Sequence, residues 1–476
     1  MRKYFTYKTL DDLREDIKQL GVHIPLEEHF EKCFEPIQVG GRRVGNRFVI
    51  QPMEGCDGTL DGKPDVLTFR RWERFGAGGA KIIWGEATAI LDEARANTRQ
   101  LLMIEENLSA LEELIRRTRA QHRAVFGSDD DLLIGIQLTH SGRYSVQRPL
   151  IAQHDPVVDG VTWVDKKRGI RVTPDYPTLS DDELKRVEDA MVQAARLAAK
   201  VGFDFVDVKQ CHRYLLSELL AARLRPGPYG GSYENRTRLA RNAIRRIVEE
   251  LGDQIIVATR LNAYDGIPYY QPEDEPIGRP VSVPRPYLAA WGTDPENPLE
   301  MDLSEPIQYV REMAEWGVRL INVSMGSPYY NPHIGRPFER PPIDGYQTPE
   351  HPLLGVDRHF RATEAIQRAV PEIPVVGTGY SWLQHYLPHA AEGNLRVGRV
   401  SLIGVGRGSL AYPDFVKDMM EGGEFDRRKV CVTVSYCTAL MRAKHNELGQ
   451  FPTGCVPRDR IYAEIYKEAL RTAPKE

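Results

Sequence analysis

The sequence predicts an α/β protein folded as a (β/α)8 TIM barrel, with an N-terminal extension and a mainly helical C-terminal tail. Three observations predict it. Eight short apolar runs recur along the 476 residues, each flanked by small residues or turn formers. Charged stretches with helical periodicity separate most of them, and strand alternating with helix implies parallel strands joined by helical crossovers. No Gly-x-Gly-x-x-Gly follows an early strand, which disfavours an open doubly wound sheet and leaves the barrel as the better fit to eight units in this length.

In chain order the expected strands are Arg47–Pro52, Lys81–Glu86, Leu132–Leu138, Phe203–Val208, Ile255–Leu261, Arg319–Ser324, Ile373–Gly377 and Arg399–Val405. The clearest helix is Asp181–Val201. Asp181 and Asp182 open it, and Leu184, Val187, Met191, Ala194, Ala195 and Leu197 mark one apolar face. Leu239–Leu251 and Glu305–Trp316 read the same way. Residues 1–45 form an extension with a helical stretch near Leu10–Leu20, residues 46–415 the barrel, and residues 416–476 the tail. Residues 262–304 are proline-rich and poor in apolar runs. A long irregular insertion after a strand is usually functional, and in a barrel it sits over the mouth.

Composition narrows the class. The hydrophobic fraction is 41%, the net charge −4 and the pI about 6.4. Neither a nucleic-acid nor a membrane partner is implied. No apolar run approaches the roughly 20 residues that span a bilayer, and no apolar segment follows Met1–Thr9 to suggest a secretory signal. Six cysteines in so long a chain are no disulfide framework. A reducing compartment, and so a cytoplasmic location, is expected. A homo-oligomer is an open possibility.

The chemistry concentrates after the fourth run, in Asp207-Val208-Lys209-Gln210-Cys211-His212-Arg213-Tyr214. Lys209, His212 and Tyr214 are three proton-bearing side chains at the C-terminal end of a barrel strand, able to bind an anionic oxygen and move protons. Tyr229-Gly230-Gly231-Ser232-Tyr233-Glu234-Asn235-Arg236 follows. This arrangement resembles the old yellow enzyme family of FMN-dependent oxidoreductases, whose fourth strand ends in two hydrogen-bond donors three residues apart and then a tyrosine. The first donor here is Lys209, where the family usually has histidine.

The resemblance covers roughly residues 35–415. Asn46-Arg47-Phe48-Val49-Ile50-Gln51-Pro52-Met53 is similar to the family's first strand, which implies that Pro52 and Met53 line the flavin ring. The next position, often Thr or Cys, is Glu54 in this chain. Ionised, it would disfavour flavin reduction; protonated, it could donate a hydrogen bond. It could equally point away. Ala87, after Glu86, leaves room for the isoalloxazine. Gln137 offers an amide that both donates and accepts, suited to the pyrimidine edge. Arg260 would stabilise the anionic reduced flavin, although a strand-end arginine is often a surface ion pair. Gly377-Thr378-Gly379, then Gly404-Val405-Gly406-Arg407 and Leu410-Ala411-Tyr412-Pro413-Asp414, resemble the family's phosphate site. Gly379 and Gly406 would let backbone N–H groups approach, and Arg407 would supply a charged fork.

The resemblance implies that hydride passes from NAD(P)H through flavin N5 to an activated alkene. Lys209 and His212 would hold the substrate oxygen, and Tyr214 would be the general acid. A plainer reading pairs Lys209 with Asp207 or Glu86 and makes His212 a core histidine. Cys211 reads as a packing residue. After the sixth run, Tyr329, Tyr330 and His333 either cap the substrate or pack the loop. In the tail, Cys431, Cys437 and Cys455 resemble three of the four [4Fe–4S] ligands of the trimethylamine dehydrogenase and 2,4-dienoyl-CoA reductase branch, with Val434 at the remaining position. A degenerate cluster, zinc with His445, and metal-free buried thiols are the alternatives, and the thiols are preferred. The larger members of that branch carry dinucleotide-binding domains that this sequence lacks, so electrons are expected from diffusing NAD(P)H or a partner.

The expected function is therefore an ene reductase acting on a small α,β-unsaturated carbonyl or carboxylate. The alternative is an amine dehydrogenase or demethylase, against which the positive charge of Lys209 argues.

Overall fold

All eight apolar runs become strands, and the strands close on themselves. The computed structural model describes residues 5–341, 345–422 and 425–474. Its barrel consists of β1 (Phe48–Ile50), β2 (Ile82–Ala89), β3 (Leu133–Thr139), β4 (Phe205–Val208), β5 (Ile256–Tyr264), β6 (Leu320–Met325), β7 (Val375–Gly377) and β8 (Leu402–Val405). Every pairing is parallel and joins neighbours in chain order, and β8 returns to β1 through Val405 opposite Ile50.

Alternation along the strands sorts the interior into two levels. The lower is apolar: Val49, Ile82, Trp84, Leu133, Phe205 and Leu320 meet across it. A hairpin of Ile37–Val39 and Arg42–Val44 plugs it from below with Val39 and Val44. Gly40, at φ 55, turns that hairpin; a Cβ there would lie 2.7 Å from the Ile256 side chain. The upper level is polar. Gln51 and Asn322 exchange hydrogen bonds of 2.8 and 3.2 Å across the barrel. Asp207 Oδ2 accepts from Trp84 Nε1 at 2.7 Å and Gln137 Nε2 at 2.6 Å, and its Oδ1 accepts from the Arg260 backbone N–H at 2.6 Å. One buried carboxylate thus ties β2, β3, β4 and β5 together. Burial raises its pKa, and the three donors oppose that shift.

The helices form as their sequences require. Ser180 caps Asp181–Val201 in a reciprocal box with Glu183, and Gly202, left-handed at φ 96, ends it. Thr9 and Asp12 cap Leu10–Leu20 in the same way. That helix leads into His23, whose backbone N–H reaches Asp357 on Pro352–Ala369. After β5 the proline-rich segment contains a two-residue hairpin, Tyr269–Tyr270 with Arg279–Pro280, and a small core of Ile267, Tyr287, Ala289 and Ala290. The tail helices Phe415–Gly422, Tyr436–Arg442 and Arg460–Arg471 cross back over the barrel. Arg70 and Arg74 both hold Asp459 at 2.8 Å, and Thr453 donates to the Gly55 carbonyl at 2.7 Å. Among the described residues no helix is long and apolar enough to cross a membrane.

Trp84 fills the lower interior and supplies one donor to Asp207. Trp84→Ala should lower unfolding free energy by about 3–5 kcal/mol, read by denaturant titration. Trp84→Phe should recover much of the packing but not the lost donor.

Candidate active site

The segment after β4 leaves the strand through an unusual turn. His212 and Arg213 are consecutive non-glycine residues at φ 63, each costing roughly 1–3 kcal/mol unless its surroundings hold it. They do. The His212 backbone N–H donates to Asn262 Oδ1 at 3.2 Å. The buried Arg213 side chain donates to Asp265 Oδ2 at 3.0 Å, the Ala289 carbonyl at 2.7 Å and Asp155 Oδ2 at 3.0 Å. Asp155 follows β3, and Asp265 and Ala289 follow β5, so a single guanidinium joins three loops of the barrel mouth.

Lys209 lies against this turn, 5% exposed; its backbone N–H donates to the Leu138 carbonyl, and its side chain has no hydrogen-bond or ion-pair partner among the described residues. Its ammonium sits 4.0 Å above the Tyr214 ring, a cation–π contact. The plainer pairings are both taken up: Asp207 by its three donors, and Glu86 by Arg71 at 2.5 Å, Trp72 Nε1 at 3.0 Å and the Gly55 N–H at 3.1 Å. Burial lowers the Lys209 pKa. His212 Nε2 lies 2.9 Å from Ser324 Oγ on β6. Burial first, then the charges of Arg260 and Lys209, push its pKa far below the usual value, so the imidazole is neutral. Cys211 is fully buried and its thiol is raised to about 11, as befits a packing residue.

Tyr214 hydrogen-bonds through its hydroxyl to that of Tyr329 at 2.9 Å. Tyr144 stacks on Tyr329 with centroids 3.8 Å apart and planes 12° from parallel. Tyr329 is 42% exposed. Its two companions in the sequence turn elsewhere. Tyr330 is buried, and His333 is buried against Tyr346, whose hydroxyl lies 2.7 Å from Nδ1, and Tyr269, 4.5 Å between ring centroids. For these two, loop packing is the environment observed.

The flavin residues read from sequence fall around the same mouth. Gln137 is buried on β3, bonded to Asp207. The Arg260 Nε is buried without a partner among the described residues. Ala87 is buried, while Pro52, Met53 and Glu54 are half-buried. Glu54 accepts a hydrogen bond from Asn97 Nδ2. Gly379 is left-handed at φ 96, packed 3.0 Å from His359 as judged from a Cβ placed there. A Cβ on Gly406 would lie 3.2 Å from Met53 Sδ, and one on Gly404 only 1.9 Å from Gln51 Nε2.

Arg407 donates through Nη2 to the Pro337 carbonyl at 2.6 Å, while its buried Nη1 has no partner among the described residues. Beside it Arg336 donates through Nη1 to Thr438 Oγ1 at 2.6 Å, with Nε and Nη2 likewise buried and unpartnered. Burial, followed by the charge of Arg407, lowers the Arg336 pKa to about 9. Two buried guanidiniums with orphan N–H groups and no carboxylate among the described residues call for an anion. With the amide of Gln137 and the cation of Arg260, this donor set fits a flavin mononucleotide, phosphate at one end and pyrimidine edge at the other.

The tail cysteines lie near Arg336 and Arg407. Cys431 and Cys437 are half-buried and Cys455 is buried; burial raises the thiol pKa of Cys431 and Cys455. His445 faces the Ala469 carbonyl at 2.8 Å. Among the described residues no group of three or more His, Cys, Asp or Glu side chains is arranged to hold a metal ion.

Sequence reading passed over Gln51, Tyr144, Asn322, Arg336 and His359. Gln51 and Tyr144 stood inside or beside quoted motifs. Arg336 carried no local signal, because its importance comes from packing against Arg407 and the tail. Arg213→Ala should lower unfolding free energy by about 3–5 kcal/mol, since it strands two buried carboxylates; thermal and denaturant unfolding would measure it, and an effect under 1 kcal/mol would contradict the clamp.

Residues 32–287, more than half of the chain, match the NADH:flavin oxidoreductase / NADH oxidase family. An NADPH dehydrogenase of Geobacillus sp. (strain WCH70) is 29% identical over 305 residues, 62% of this chain and 73% of the relative. Among solved structures, a 2-naphthoyl-CoA reductase complex superposes with a TM-score of 0.64 at 18% identity, covering 92% of this chain; the chain spans only 58% of that protein. The old yellow enzyme homologue from Zymomonas mobilis gives a TM-score of 0.56 at 20% identity, covering 83% of this chain and 94% of that one. The chain belongs to the NADH:flavin oxidoreductase / NADH oxidase family of FMN-dependent oxidoreductases.

Proposed function

We propose that the chain is an ene reductase that uses NAD(P)H to reduce the activated C=C bond of an α,β-unsaturated carbonyl or carboxylate. The carrying observation is Lys209: a buried ammonium with no partner among the described residues, next to a neutral His212 and a buried tyrosine hydroxyl. FMN, when bound, supplies the hydride chemistry. Gln137 and Arg260 would hold its pyrimidine edge, Pro52, Met53 and Ala87 its ring, and Gly379, Gly406, Arg407 and Arg336 its phosphate.

Lys209 and His212 bind the substrate oxygen and meet the enolate-like charge that grows there. Donors already fixed in a dry site need no reorganisation at that moment. Tyr214 delivers a proton to the α-carbon. Burial holds its hydroxyl in the protonated form at every physiological pH, and Tyr329, bonded to it and partly exposed, links it to solvent for reprotonation. Tyr144 keeps the Tyr329 ring in place by stacking. The same Lys209 charge disfavours the amine-dehydrogenase alternative, because a cationic substrate would meet a cation in a site that already holds Arg260.

A visible spectrum of anaerobically purified protein, before and after NADH or NADPH, tests the reading. Two flavin bands that bleach, and return on adding an enone or enoate, support it; protein that takes up no flavin from added FMN defeats it. Lys209→Met and His212→Ala should each slow the alkene half-reaction by about 10²–10³-fold. Tyr214→Phe should slow it by about 10²–10⁴-fold, with rapid-mixing absorbance separating this step from reduction by NAD(P)H.

A further inference from the structure

The N-terminal extension carries none of the flavin or substrate residues, yet Phe5 reaches the loops at the phosphate end. Three segments meet there: residues 336–340 after β6, with Arg336; Gly379 and the turn Tyr380–Tyr386 after β7; and Arg407–Ala411 after β8. The third holds each of the others. Arg407 Nη2 donates to the Pro337 carbonyl at 2.6 Å, and the Gly408 N–H donates to Ser381 Oγ at 3.1 Å. Phe5 joins the first to the second. Its backbone N–H donates to Glu339 Oε1 at 2.7 Å. Its ring meets those of Trp382, His385 and Tyr386, with centroids 5.3, 5.5 and 6.1 Å away.

Both partners of this contact are anchored behind it. Tyr7 packs edge-on to Phe5 and Trp382, with centroids 5.1 and 6.3 Å apart, and its hydroxyl donates to Asp16 on the helix Leu10–Leu20 at 2.9 Å. Beyond that helix, Arg399 Nη1 donates to the His23 carbonyl at 2.6 Å, which fixes the extension to the entry of β8. On the tail side, the Glu339 N–H donates to the Thr433 carbonyl at 3.1 Å, and the Ser435 hydroxyl donates to the Arg340 carbonyl at 2.9 Å.

We propose that Phe5 and Glu339 are positioning residues for the 5′-phosphate of FMN, and that Phe5–Tyr7 is a strap across the loops that bind it. A phosphate takes donors from several sides at once, and donors fixed before it arrives lose less freedom in binding it. Arg336 Nε and Nη2 and Arg407 Nη1 are buried donors without partners among the described residues. They stand on two different loops. The strap holds the Arg336 loop, at Glu339, against the turn that starts at Gly379, while Arg407 holds it from the other side at Pro337. Neither strap residue gives the phosphate a donor: the Phe5 N–H is taken by Glu339, and a carboxylate accepts.

The inference rests on the proposed assignment of Arg336, Arg407 and Gly379 to the phosphate, and riboflavin, which lacks that phosphate, separates the two. The whole chain, stripped of flavin, is titrated with FMN and with riboflavin, and quenching of flavin fluorescence gives both dissociation constants. Wild type should bind FMN at least about 100-fold more tightly than riboflavin, as two or more charge-assisted hydrogen bonds require. Phe5→Ala and Glu339→Ala should each weaken FMN about tenfold and speed its release, read as returning fluorescence, while the riboflavin constant stays level. Glu339→Gln keeps an acceptor for the Phe5 N–H, and Phe5→Tyr keeps the ring; both should hold FMN near wild-type affinity. Equal constants for the two flavins in the wild type overturn the phosphate assignment and the strap with it. A wild-type preference for FMN that is unchanged in both alanine variants, a loss shared equally by riboflavin, or a glutamine variant as weak as the alanine one overturns the strap alone.

Discussion

The barrel mouth depends on the buried guanidinium of Arg213. Three loops converge there, from β3, β4 and β5, and a small apolar cluster of Ile267, Tyr287, Ala289 and Ala290, with Val157 packed against it, joins two of them. Arg213 meets Asp155, Asp265 and the Ala289 carbonyl with a planar fork whose donors diverge at fixed angles. A lysine carries the charge but lacks the spread to reach three acceptors. The clamp also maintains the left-handed pair His212–Arg213. That turn brings Lys209, His212 and Tyr214 to one cleft although the strand proper ends at Val208. Backbone strain at the site and the ion pairs beneath it form one device.

Below the mouth, the two interior levels do different work. The apolar level, closed by the Val39 and Val44 plug, excludes water from the barrel axis. This low-dielectric floor strengthens every charge above it. The polar level is then predominantly cationic. Lys209, Arg260, Arg336 and Arg407 lack carboxylate partners among the described residues, while Asp207 is saturated with donors. Such an arrangement is unfavourable in an empty protein and favourable around an anion, so the Arg336–Arg407 end and the Lys209 end share one electrostatic logic.

The barrel was legible in the sequence because its signal is local. All eight apolar runs are strands, and Asp181–Val201 was readable from its opening Asp181 and Asp182 and its apolar face down to both ends. Strand ends were less readable. β2 continues to Ala89 and β5 to Tyr264, beyond the apolar runs, because pairing and burial at the mouth override composition. Within the site, the cluster at Lys209, His212 and Tyr214 was visible because its members are neighbours in sequence. Arg336 and Asn97 were not, since their partners Arg407, Thr438 and Glu54 are remote along the chain. Tyr330 and His333 show the converse: adjacency to Tyr329 in a suggestive loop says nothing about which way a side chain turns.

The tail illustrates how a segment can stay necessary at a site independently of any metal. Cys431, Val434 and Cys437 have a spacing that resembles a cluster-binding turn, and left-handed Thr433 and Ser435 shape it. Contacts from this tail to the mouth loops begin in the turn itself, where the Thr433 carbonyl accepts from the Glu339 N–H and the Ser435 hydroxyl donates to the Arg340 carbonyl, and they continue beyond it. Thr438 accepts from Arg336, Arg442 donates to the Pro328 carbonyl beside Tyr329, and Thr453 donates to the Gly55 carbonyl next to Glu54. Each ends on a loop that carries a candidate site residue. The tail therefore braces the loops after β1 and β6 from above, as Arg213 braces those after β3, β4 and β5 from within. Those braces hold the turn whether or not its thiols bind anything, which is why cysteine spacing alone is weak evidence for a cluster in this chain.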